Sequence, residues 1–200
     1  MRFPSKKNKV TLEGGIVIKQ HADGDAMRRE VRALEHLHQA GLAVPTLLAV
    51  EENALKLQYL AGPTYAELVE TMTFKQAEAI ADWLADYHRI TGLLRGDCNL
   101  RNFLWSKETC VGVDFEDYAT AGEWEIDMGK ILAFAVTYNP PLTAKKADCA
   151  ALLLQAFGES GGEFGRIKSA YLQEIAAMNQ RRENALIHLP AAASFLEKLF

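Results

Sequence analysis

The sequence predicts an α+β protein in which a small sheet-containing lobe precedes a larger, mainly helical one. Three observations carry this expectation. Short apolar runs of strand length crowd the first sixty residues, around a single amphipathic helical pattern. The turn-forming Ala61-Gly62-Pro63 then breaks the pattern. Beyond it, capping boxes and helical-period apolar residues dominate. The expected lobes are residues 1–61 and 62–200 of one domain, with 61–63 as the hinge.

In order, Val10–Leu12 and Ile16–Lys19 read as strands joined at Glu13-Gly14-Gly15. Met27, Val31, Leu34 and Leu37 share one helical face over about 25–40, and Gly41 and Pro45 end it. Thr46–Val50 and Leu55–Leu60 form a hairpin across the intervening polar residues. Thr64-x-x-Glu67 and Thr73-x-x-Gln76 have capping-box spacing, and the second opens a helix to about Ile90. Leu93-Leu94, Phe103–Trp105 and Val111–Val113 are strand-length apolar pieces, the last two joined by a turn over 106–109. A helix is expected from Glu125 to Thr137, stopping before Pro140-Pro141, with others near 143–157, 165–182 and 190–199.

Composition narrows the function classes. The chain is 49% hydrophobic and 24% charged, which is ordinary for a soluble globular protein. A net charge of −4 gives no electrostatic case for a nucleic-acid surface. Cys98, Cys110 and Cys149 are scattered, as reduced cytoplasmic thiols are, and lack the spacing of a zinc site. The basic N-terminus leads into no apolar signal core, and no apolar run is long enough to cross a bilayer, so a cytoplasmic location is expected. Nothing in the pattern specifies an oligomeric state.

Chemistry concentrates in Arg95-Gly96-Asp97-Cys98-Asn99-Leu100-Arg101-Asn102 and in Val113-Asp114-Phe115-Glu116. An acid and an amide lie five residues apart on one polar loop, and a second acid ends an apolar strand after a short hairpin. Phosphoryl transfer asks for such a set: one carboxylate to orient a hydroxyl, and hard oxygen donors to hold magnesium against phosphates. The alternative is that Asp97 and Asn102 are turn residues and Asp114 caps a strand end. Glu30 lies on the apolar face of the first helix, where a carboxylate is costly unless paired. Lys19, at the end of Ile16-Val17-Ile18, is the obvious partner; the other possibility is that Glu30 stays solvated at the edge of the stripe.

With these residues the chain resembles the protein-kinase-like superfamily, whose pattern is H-[RG]-D-x-x-x-x-N, a hairpin, then [IV]-D-F-x. The glycine at Gly96 and the Asp-Phe-Glu ending look closest to aminoglycoside and choline kinases, while the compact spacing looks like atypical protein kinases. The resemblance covers about residues 16–137 and implies a two-lobe kinase-like fold with a reduced N-lobe. It implies ATP and Mg2+ as cofactors, with Asp97 as catalytic base and Asn102 and Asp114 as metal ligands. Lys19 would reach the ATP phosphates from its pair with Glu30, and Tyr59 and Leu60 would lie in the adenine-binding connection. Asp127 matches an aspartate that bonds the catalytic loop from below. His88 is more simply a packed histidine, and Cys98 a small buried residue.

Three departures accompany the match. No G-x-G-x-x-G precedes Lys19, where Glu13-Gly14-Gly15 or the lysines Lys6, Lys7 and Lys9 would have to serve. Arg95 stands where histidine is usual, and only nine residues separate His88 from Asp97. The implied activity is transfer of the ATP γ-phosphoryl group to a hydroxyl of a small-molecule or protein acceptor. The missing glycine loop supports a second reading, a pseudokinase or nucleotide-binding interaction module; the complete Asp97, Asn102 and Asp114 set opposes it.

Overall fold

The computed structural model describes residues 2–3, 7–117, 119–181 and 187–199. A five-stranded antiparallel sheet and one long helix come first; a helical assembly holding a two-stranded hairpin follows. This is the expected α+β order.

The sheet contains β1 (Arg2–Phe3), β2 (Lys9–Glu13), β3 (Ile16–Gln20), β4 (Leu47–Val50) and β5 (Ala54–Gln58), in the order β1-β2-β3-β5-β4. β1 was not expected, because two residues carry no periodicity; it pairs Arg2 with Thr11 and Phe3 with Val10. Direct pairing of Leu12 with Val17 and of Val17 with Leu57 puts these three side chains on one face. Lys19 is two residues beyond Val17 and therefore shares that face.

Helix α1 (Gly24–Gln39) starts where the Asp23 side chain accepts from Asp25 N. It closes with Leu42 N donating to Leu37 O (3.0 Å) and Gly41 N to His38 O (3.1 Å), the paired bonds of a Schellman ending. It buries Met27, Leu34 and Leu37, and Glu30 with them.

β5 stops at Gln58, short of the expected Leu60, and the connection at 61–63 is fastened to the later hairpin. Trp105 N donates to Pro63 O (2.9 Å), and Ser106 Oγ donates to Ala61 O (2.7 Å). Gly62 has φ 147°, and a Cβ there would lie 2.0 Å from Trp105 O, so only glycine allows this approach.

Both capping boxes form, on α2 (Tyr65–Leu68) and α3 (Phe74–Thr91). The hairpin is β6 (Phe103–Ser106) with β7 (Thr109–Gly112), entered through a 3-10 turn at Leu100–Asn102. Leu93-Leu94, expected as a strand, makes one isolated bridge from Leu94 to Thr120. The helices α4 (Glu125–Thr137), α5 (Ala144–Glu159), α6 (Phe164–Gln180) and α7 (Leu189–Glu197) complete the chain. Among the described residues, no helix is long and apolar enough to cross a membrane.

The core runs unbroken from α1 and the sheet into the helices. Trp83 on α3 joins the parts: its Nε1 donates to Ala43 O (2.8 Å), which also accepts from Gly112 N (3.2 Å), and its ring meets Phe103 edge-on at 5.3 Å.

Helices α4 and α6 pack closely at Gly129, where a Cβ would stand 2.5 Å from Ala170 Cβ and 2.6 Å from Tyr171 N. Gly129→Ala is therefore expected to cost about 1–3 kcal/mol by overpacking. A urea titration should show a lower midpoint with unchanged slope. An unchanged midpoint would mean that the two helices separate freely at this point.

Candidate active site

The loop after α3 is built from its backbone outward. Asp127, fully buried in the first turn of α4, accepts at Oδ2 from Arg95 N (2.5 Å) and at Oδ1 from Gly96 N (3.2 Å). His88 Nε2 lies 3.1 Å from Asp127 Oδ2, at the end of the helix that feeds the loop. Burial works to raise the Asp127 carboxyl pKa, but its bonds from His88 and Arg95 and the charge of Lys130 outweigh that and hold it below the ordinary value. Lys130 Nζ donates to Gly96 O (2.9 Å). The two residues before Asp97 are thus pinned from below.

Asp97 is half-buried. Its Oδ1 accepts from Asn99 N (3.3 Å) and its Oδ2 from Asn102 Nδ2 (2.9 Å). That bond engages the nitrogen of the Asn102 amide; among the described residues, its oxygen has no partner. Val113 N donates to Asn102 O (2.9 Å), so Asn102 enters the hairpin beside the point where Asp114 leaves it. Asp114 has φ 67°, a left-handed conformation that aspartate tolerates better than most residues.

Arg95 holds this strand end in place. Its Nη2 donates to Val113 O (2.7 Å) and Asp114 O (2.6 Å), and its guanidinium lies 4.6 Å over the Phe115 ring. The sequence singled out Arg95 only as a substitution for histidine; the structure gives it the task of joining the Asp97 loop to the Asp114 backbone.

Lys19 joins the sheet to this loop. Its Nζ lies 2.7 Å from Glu30 Oε2, 2.6 Å from Asp114 Oδ1 and 3.2 Å from Glu116 Oε2. The Lys19 and Glu30 side chains are 7% and 1% exposed, so this is a buried pair and not a solvated edge contact. Burial alone would lower the Lys19 pKa, but the attraction of Glu30 and Asp114 outweighs it and raises the group above its ordinary value. Glu30 is shifted down: burial opposes ionisation, and its contacts with His21 and Lys19 prevail.

Glu116 and His21 were not anticipated. Glu116 is buried and lies beside Lys19, and its carbonyl accepts from Arg29 Nε (2.9 Å). His21, 1% exposed in its side chain, has Nε2 3.1 Å from Glu30 Oε2. His21 falls two residues after Lys19 on one strand face, and that spacing was the available signal. Lys7 reaches Asp117 (3.2 Å), Asn8 Nδ2 donates to Glu116 Oε2, and Lys9 is exposed. Lys6 lies outside the described residues.

Tyr59, 39% exposed, and half-buried Leu60 follow β5 directly. Among the described residues, neither makes a backbone–backbone hydrogen bond. The sheet face carrying Lys19 also presents half-buried Leu12 and Val17 beside buried Leu57, an apolar strip that the sequence reading did not assign. Cys98 is fully buried, and burial pushes its thiol pKa well up, which suits packing and not reactivity.

Three carboxylates, from Glu30, Asp114 and Glu116, meet one lysine here. Burial raises the Asp114 carboxyl pKa and, with repulsion from Glu30 and Glu116, outweighs the pull of Lys19. A hard divalent cation would relieve that excess of negative charge, and a carboxylate beside an amide oxygen is the donor chemistry it takes. The residues present therefore fit magnesium at Asp114 and Asn102.

Solved structures with the same architecture are enzymes of the kinase-like class. A choline/ethanolamine kinase family protein from Mesorhizobium loti superposes with a TM-score of 0.68 at 14% identity, over 100% of this chain and 86% of that one. The ADP-bound aminoglycoside phosphotransferase APH(2'')-Ib gives 0.66 at 12% identity, over 98% and 91%. APH(2'')-IIa in complex with streptomycin and ATP gives 0.64 at 12% identity, over 90% and 86%. At such identities the likeness is one of fold. Comparison with curated protein sequences finds no significant match. The RIO domain family matches residues 18–125, more than half of the chain, from the strand of Lys19 to the start of α4. The chain belongs to the RIO domain family, within the protein-kinase-like superfamily.

Proposed function

We propose that this chain is a magnesium- and ATP-dependent phosphotransferase that moves the γ-phosphoryl group to an acceptor hydroxyl. One observation carries the reading: Lys19 bridges buried Glu30 and half-buried Asp114, while Asp114 adjoins the loop bearing Asp97 and Asn102. Membership of the RIO domain family and the nucleotide-bound structural neighbours support it.

ATP would lie between lobes 1–61 and 62–200. Its adenine would rest on the strip of Leu12, Val17 and Leu57, with the backbone of Tyr59 and Leu60, unpaired among the described residues, available for hydrogen bonds. Lys19 would turn its ammonium to the phosphates while Glu30 holds it. Asn102 and Asp114 would hold magnesium, which would neutralise phosphate charge. Asp97 would orient the acceptor hydroxyl and take its proton. Asp127, Lys130 and Arg95 keep that loop in register with the Asp114 strand end.

The β1–β2 connection includes Lys7 and Asn8 and contains no glycine, which favours the second reading, a nucleotide-binding module without transfer. Replacing Asp114 tests the metal assignment in either case. Asp114→Asn is expected to weaken magnesium-dependent ATP binding at least about tenfold, the scale of losing a charged ligand. Calorimetry with and without magnesium measures it; equal affinities in parent and variant would remove Asp114 from the metal site. ADP formation by the parent, with a phosphorylated product, then separates transferase from module.

A further inference from the structure

Arg101 lies four residues after Asp97 and immediately before Asn102. Its side chain is exposed, and its guanidinium sits 5.6 Å over the Tyr138 ring. Its backbone N donates to Asn99 Oδ1 (3.0 Å), but among the described residues the guanidinium has no carboxylate or hydrogen-bond partner. The Tyr138 hydroxyl donates to Asn99 Oδ1 (2.9 Å), and Tyr138 feels the charges of both Arg101 and Asp97, so these groups surround one place. Lys130, with its Nζ on Gly96 O and 4.0 Å from Asp127 Oδ1, is engaged beneath the same loop, so Arg101 is, among the described residues, the cation left to a ligand. Glu70, just past α2, is answered by Lys145 at 3.8 Å and Lys146 at 3.6 Å. Arg101 is thus an exposed cation beside the Asp97 loop, backed by an aromatic ring, and its guanidinium can bind a planar anion with two hydrogen bonds.

We propose that the acceptor is a small hydroxyl compound carrying a carboxylate or phosphate, and that Arg101, backed by Tyr138, binds this anionic group. The aminoglycoside, choline and ethanolamine named for the structural neighbours are cationic amines, and Arg101 would repel them. The inference rests on the transferase reading. In the reaction, the acceptor oxygen forms a bond to the γ-phosphorus of ATP. The bond from that phosphorus to the β–γ bridging oxygen breaks, the electron pair leaves with ADP, and the hydroxyl proton passes to the Asp97 carboxylate.

The test pairs binding with turnover. Glycerol 3-phosphate, glucose 6-phosphate and D-glycerate are compared with glycerol and glucose, and with choline, ethanolamine and streptomycin. Binding is measured by titration without nucleotide, and turnover by ADP and phosphorylated product. The anionic compounds are expected to bind and to be phosphorylated ahead of the neutral and cationic ones. Arg101→Gln should raise KM for them about ten- to hundredfold, the scale of a lost charged hydrogen bond, with partial recovery in Arg101→Lys. A preference for the amines, or an anionic preference unchanged in Arg101→Gln, overturns the proposal. So does a loss of magnesium-ATP affinity in Arg101→Gln with acceptor discrimination unchanged, which would assign Arg101 to the nucleotide. A parent chain that binds magnesium-ATP but neither binds nor phosphorylates any anionic probe also overturns it and leaves the transferase reading standing. Failure to bind magnesium-ATP at all would remove both.

Discussion

Asp97→Asn should slow phosphoryl transfer by about 10²–10⁴-fold, the usual contribution of a positioned general base. The substitution keeps the shape of the side chain and leaves an oxygen for the bond from Asn99 N. It removes the negative charge that would accept the hydroxyl proton and that faces the Asn102 amide nitrogen at 2.9 Å. Because the metal is assigned to Asp114 and Asn102, affinity for magnesium-ATP should change far less than it does in Asp114→Asn. The contrast between the two variants separates proton transfer from metal binding. Slow hydrolysis of ATP by water is a sufficient reporter before an acceptor is in hand. Undiminished turnover in Asp97→Asn would end the catalytic assignment.

The second large effect concerns stability. Removing one partner of a buried ion pair strands the other charge and costs about 3–5 kcal/mol, against roughly 0–1 kcal/mol for an exposed pair. Lys19→Met should be the more damaging change, because it leaves buried Glu30 without an ammonium and leaves Glu116 only the more distant Lys7 at 3.6 Å. Glu30→Gln leaves Lys19 with Asp114 and Glu116. A double-mutant cycle should therefore show coupling well beyond additivity. Acid behaviour should separate the variants too. In the parent, Glu30 is held below its ordinary pKa, so its contribution is present above the unfolded value and is lost as pH falls through the folded one. In Lys19→Met, only the His21 contact remains to oppose burial, so the Glu30 pKa should be lowered less and that variant should lose less stability on acidification. Denaturant titrations across the acid range read both slopes. Simple additivity, with parallel slopes, would mean that Lys19 and Glu30 do not act as a pair.

The sequence made some of this site legible because the chemistry is local or periodic. Asp97 and Asn102 share one loop, and a four-residue hairpin turn returns the chain to Asp114. Glu30 betrayed itself as a carboxylate on the apolar stripe of α1, with Lys19 ending the neighbouring strand. Both capping boxes set helix starts from side chains three residues apart. Other features depend on contacts between distant elements and leave no periodic trace. Glu116 looks like a surface residue after Phe115, yet Lys19, Asn8 and Lys7 close around it. Arg95 acts by bonding carbonyl groups that any residue would supply at 113 and 114. Leu93-Leu94 has the composition of a strand but only one bridging partner, and β1 is too short for a pattern. The 61–63 connection reads as a hinge from its composition, but its tertiary bonds to β6 leave no pattern to read.

Calorimetric titration of ATP into the purified chain, with and without magnesium, tests the central claim most directly. The account predicts saturable one-to-one binding that strengthens with magnesium, because Asp114 and Asn102 would supply the metal's oxygen donors while Lys19 would meet the phosphates. No ATP binding in either condition, at protein concentrations that detect millimolar affinity, would contradict the assignment of this cleft to a nucleotide.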